Sequence, residues 1–82
     1  MDAKTRHRFI YAAIMLGGTP RQAEILAQCA DGKSHKKVAY DTGLTRPYSV
    51  LSRLYDTLKA NHRGHAIAIV FEKMLEGPPM GD

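Results

Sequence analysis

Within residues 33–63 the chain carries seven lysines and arginines, Lys33, Lys36, Lys37, Arg46, Arg53, Lys59 and Arg63, against only Asp41 and Asp56. That is a surplus of five positive charges, whereas residues 64–82 hold Lys73 against Glu72, Glu76 and Asp82. Positive charge concentrated on one segment is the electrostatic footprint of phosphate binding, because each neutralised phosphate releases condensed counterions. The chemistry implied is therefore recognition of a polyanion.

Other reactive side chains do not assemble into a site. His62 and His65 are three residues apart, but no cysteine or carboxylate completes a zinc-ligand set around them, so no metal is expected. The single cysteine, Cys29, excludes an internal disulfide and falls on an apolar stripe with Ile25 and Leu26, as a buried structural thiol would. His7 and His35 sit among arginines and lysines. The run Lys4-Thr5-Arg6-His7-Arg8 is either a further phosphate contact or a solvated helix start. No glycine-rich phosphate loop and no nucleophile, base and orienter are visible, so neither an enzyme nor a cofactor is expected.

Five helical segments must position the charges. Residues 4–16 place Phe9, Ala12, Ala13 and Leu16 at helical intervals and stop at Gly17-Gly18. A second helix, residues 20–30, opens with Thr19-Pro20-Arg21-Gln22, where Thr19 and Gln22 can exchange capping hydrogen bonds and Pro20 takes the first helical position. Gly32 supplies a left-handed residue at its end, and Ser34 opens a third helix over residues 35–42. After Gly43, Thr45 is positioned to cap a fourth helix running to about residue 60. It buries Val50 or Leu51, Leu54, Tyr55 and Leu58. A fifth, residues 65–75, ends at Gly77-Pro78-Pro79, leaving residues 77–82 as a disordered tail. With 82 residues, this makes one small all-α bundle, residues 1–82, whose core is marginal in size and would gain from oligomerisation. No stretch reaches the roughly 18 apolar residues of a membrane span and no signal-peptide layout is present, so a cytoplasmic protein is expected.

The middle of the chain resembles the helix-turn-helix DNA-binding domain of the LuxR/FixJ, or GerE-like, family. Thr19, Arg21, Glu24, Ile25 and Leu26 match its first block, and Ala30, Gly32, Ser34, Lys36, Val38 and Ala39 its second. Leu51, Leu54, Tyr55 and Leu58 are similar to the apolar face of its recognition helix, and Arg63, Ala66 and Ile67 to the start of its last helix. The stretch over residues 39–51, which contains Asp41-Thr42-Gly43-Leu44-Thr45-Arg46-Pro47, is shorter than the family's, so its base-reading positions do not transfer one for one. The helix at residues 4–16 lies outside the family's minimal domain.

The resemblance implies a helix-turn-helix protein that binds double-stranded DNA through helix four, about residues 46–60, in the major groove. Base-reading candidates on that helix are Arg46, Tyr48, Ser49, Ser52 and Arg53, with the two arginines leading because a guanidinium can hold guanine O6 and N7 together. Tyr48 either meets a thymine methyl or packs on helix three. Phosphate-contact candidates are Lys33, Ser34, His35, Lys36 and Lys37 around the start of helix three, together with Thr45, Lys59 and Arg63.

Helix five carries the unbroken apolar run Ala66, Ile67, Ala68, Ile69, Val70 and Phe71, which one face cannot bury. Ile67, Val70, Phe71 and Met74 are expected toward the core. Ala66, Ile69 and Lys73, with Val70 at the margin, are expected toward a second copy, since the resembling family pairs through its last helix. The alternative cover is the N-terminal helix of the same chain. The function implied is a stand-alone transcription regulator acting as a homodimer. A different class stays open, namely an interaction module that keeps the fold and binds another regulatory protein.

Overall fold

Among the described residues, four of the five helices begin at a residue whose side chain accepts a hydrogen bond from the otherwise unsatisfied first turn. Asp2 does this for α1 (Ala3–Met15), accepting from the Thr5 amide at 2.7 Å. For α2 (Pro20–Ala30) the exchange is reciprocal: the Gln22 amide donates to Thr19 Oγ1 at 3.1 Å and the Thr19 amide to Gln22 Oε1 at 3.0 Å. Ser34 Oγ accepts from the Lys37 amide at 3.1 Å to open α3 (His35–Thr42). At α5 (Arg63–Leu75) the cap is His62, whose Nδ1 accepts from the His65 amide at 3.1 Å. The exception is α4 (Pro47–Leu58), whose N-cap position falls on Arg46 with no side-chain bond, and where Pro47 occupies a position that needs no donor.

The structure is a computed structural model that describes residues 1–44 and 46–76, with the backbone only at His35 and Pro47. Thr45, expected to cap helix four, and the expected tail at residues 77–82 lie outside the described residues. Among the described residues there are five helices and no strand, so the chain is all-α. No helix among them is long and apolar enough to cross a membrane.

Two boundaries differ by two residues from those expected, the others by one at most. Helix four stops at Leu58 because Lys59 turns left-handed at φ 58° and the Ala60 amide closes back on the Tyr55 carbonyl at 2.8 Å. Helix five starts earlier, at Arg63, because the His62 ring caps it. Between α3 and α4 the chain reverses at Gly43, φ 73°, a conformation that costs a residue with a Cβ on the order of 1 kcal/mol or more.

At the centre lies α2, which packs against all four other helices. It contributes Ala23, Ile25, Leu26, Ala27 and Cys29 to a core completed by Phe9, Ala12 and Ala13 of α1, Val38 of α3, Leu51, Leu54, Tyr55 and Leu58 of α4, and Ala66 and Val70 of α5. Val50 is only half-buried, so Leu51 leads the inward face of α4. Gly18 brings the α1–α2 connection onto α4: a Cβ there would stand 2.9 Å from the Leu54 side chain and 3.0 Å from a backbone oxygen. The inward face of α4 is thereby held from several sides, and its opposite face is left to solvent.

Candidate nucleic-acid interface

The outward side of α4 carries Ser49 and Arg53 one turn apart, both exposed, with Arg46 exposed at the helix start. Neither arginine forms an ion pair among the described residues. Ser52 is half-buried at the margin of this face. Tyr48 is 59% exposed and its ring meets Tyr55, two turns along the same helix, edge-on at 6.4 Å between centroids. Farther along, Asp56 is exposed, so the cationic character of the face belongs to its N-terminal half.

The charges around α3 divide into two groups. Lys33 Nζ lies 3.1 Å and Lys37 Nζ 3.3 Å from the Asp41 carboxylate, so two of the four lysines expected on phosphate already share one counter-charge. Lys36 is exposed and has no ion pair among the described residues. The Ser34 hydroxyl is engaged as the α3 cap. The side chains of His35 and Thr45 lie outside the described residues. Lys59 is exposed at the C-cap of α4.

Arg63 is exposed at the start of α5, with its guanidinium beside two buried groups. Burial pushes the Cys29 thiol up from its ordinary pKa, and the Arg63 guanidinium beside it opposes that shift. The same guanidinium acts on Tyr55, whose phenol is pushed up to about 12, first by burial and then by the neighbouring thiol. The Tyr55 hydroxyl has no hydrogen-bond partner among the described residues. Arg63 thus lies at the junction of α2, α4 and α5.

The expectation for α5 needs correction. Ala66 and Val70 are fully buried within one chain, so neither can face a partner. Ile69 and Lys73 are half-buried on the flanks, and Phe71, expected in the core, is partly exposed. A helix apolar all round has no preferred side, and its rotation is set by what packs on it, here α1, α2 and α4. Phe9 of α1 meets Phe71 edge-on at 5.2 Å, so the N-terminal helix does supply cover. The exposed residues of α5 are Arg63, Gly64, Ala68, Phe71, Glu72 and Leu75.

Two features escaped the sequence reading. Tyr40 on α3 is 84% exposed, with Lys37 Nζ 5.5 Å from its ring centroid. Its position two residues after the buried Val38, about 200° around the helix, was the available signal. The second is the Asp41 clamp, of which the Lys37-to-Asp41 spacing of four was legible and the Lys33 contact was not. In the comparisons with models of known protein families, with curated proteins and with solved structures, no match to this chain was found.

Proposed function

We propose that this chain is a sequence-specific regulator of transcription that lays α4 in the major groove of duplex DNA and acts as a homodimer. The observation that carries the reading is the two-sided character of α4: Leu51, Leu54, Tyr55 and Leu58 anchor one side in the core, while Arg46, Ser49 and Arg53 stand exposed on the other, with neither arginine in an ion pair among the described residues. A helix anchored on one side and presenting exposed guanidinium groups on the other suits base-edge recognition, and Lys36 and Lys59 supply further positive charge for phosphates. The resemblance to the LuxR/FixJ family points the same way.

Selection of bound sequences from a random duplex pool, followed by a salt titration of the enriched site, tests the reading. A defined site with steep salt dependence supports it. A second reading, an interaction module for another regulatory protein, is favoured by the exposed apolar residues Tyr11, Ile14 and Met15 on α1. Absence of any salt-dependent duplex binding by the folded chain selects that second reading.

A further inference from the structure

The outward sides of α1 and α5 share one spacing. On α1, Lys4, Arg8, Tyr11 and Met15 are all exposed and stand four, three and four residues apart, so they form a single stripe. On α5, Gly64, Ala68, Phe71 and Leu75 are exposed at the same intervals, with Leu75 87% exposed. Alternating steps of four and three are the pattern by which two helices interlock side chain into gap. Phe71 meets Phe9 inside its own chain and still exposes part of its ring.

The two stripes complement each other in one direction only. Laid antiparallel, Lys4 and Arg8 come beside Glu72 and Glu76, while the bulky Tyr11 and Met15 come against the small Gly64 and Ala68. Laid parallel, the cations would meet Gly64 and Ala68, and Tyr11 and Met15 would meet the acidic end. The antiparallel arrangement also brings the basic start of α1 to the C-terminal end of α5, where the helix dipole is negative. Glu72 has no ion-pair partner among the described residues, and Glu76, itself exposed, has only the half-buried Lys73 at 3.4 Å among them. Within one chain α1 turns Phe9, Ala12 and Ala13 inward, so its outward stripe cannot reach its own α5.

We propose that a second copy of this chain covers both stripes: α1 of one copy lies antiparallel along the outward side of α5 of the other, and a two-fold axis repeats the contact. This rests on the homodimer in the reading above and states which surfaces meet. The test uses the full chain in sedimentation velocity, with one variant carrying Lys4→Glu and Arg8→Glu and another carrying Glu72→Lys and Glu76→Lys. Each variant alone weakens dimerisation by about tenfold or more, because like charges then face each other across both contacts. An equimolar mixture of the two restores a dimer, and circular dichroism shows both variants as helical as the parent chain, since all four positions are exposed. A dimer that survives each reversal overturns this pairing while leaving the homodimer standing, and a dimer lost in both variants but not regained on mixing overturns it as well. A wild-type chain that stays monomeric overturns pairing and homodimer together, and duplex binding by that monomer shows whether the DNA reading survives.

Discussion

The Asp41 carboxylate of α3 accepts a hydrogen bond at 3.1 Å from the ammonium of Lys33, which lies in the connection between α2 and α3. Lys37, one turn before Asp41, completes the pair of cations at 3.3 Å. The hydrogen bond from Lys33, followed by that from Lys37, holds the Asp41 carboxyl below the usual carboxylate range. A carboxylate whose pKa is depressed on folding stabilises the fold above its unfolded value, and that contribution is lost as pH falls through the folded value. At neutral pH the clamp is therefore closed, and two lysines of the proposed binding face are restrained by one acid.

Asp41→Asn should release both lysines. Duplex affinity then rises for all sequences alike, and the plot of log affinity against log salt steepens by up to about two units. Fluorescence anisotropy over a salt series reads this directly, and an unchanged slope in the folded variant would show that Lys33 and Lys37 do not face DNA.

Lys36, which has no acidic partner among the described residues, should behave differently from Lys33. Lys36→Ala is expected to lower the salt slope by about one unit without altering sequence preference. Lys33→Ala is expected to lower it by less, because Asp41 already neutralises part of that charge. Equal effects from the two substitutions would contradict the division.

On α4, Arg46→Ala and Arg53→Ala are each expected to reduce affinity for the selected site by on the order of 1 to 3 kcal/mol where the side chain holds a base, and to relax preference at that base. Competition binding against variant sites separates this from a phosphate effect. If both variants bind the selected site as tightly as the parent chain, α4 is not the reading helix.

Tyr55→Phe is a test of the core. The hydroxyl is buried without a partner among the described residues, so removing it should leave stability unchanged or raise it by about 1 kcal/mol, as read by urea unfolding. The phenol's pKa is raised on folding to about 12, so the protonated form is favoured in the native state. Its contribution is present below the ordinary tyrosine value and is lost as pH climbs through the folded value. Alkaline unfolding should accordingly be less pronounced in the variant, and a large loss of stability at neutral pH would mean that the hydroxyl has a partner.

Local chemistry made much of this fold legible from the sequence. Thr19 with Gln22, and Ser34, marked the starts of α2 and α3 because capping needs only residues within one turn. The glycines at 17, 32 and 43 marked breaks, and each is left-handed. The spacing of Leu51, Leu54, Tyr55 and Leu58 identified the inward side of α4, since that helix carries polar residues opposite them. The exposure of Arg46, Ser49 and Arg53 followed from the same periodicity.

Tertiary packing decided the rest. The apolar run of residues 66–71 has no polar side, so its pattern cannot say which residues turn inward; contacts with α1, α2 and α4 buried Ala66 and Val70 and left Phe71 at the edge. The pairing of Lys33 with Asp41 depends on how the α2–α3 connection folds back, which no helical spacing encodes. Periodicity tells a helix which face is apolar, but which charges meet, and which side of an all-apolar helix is left open, depends on the neighbours that arrive.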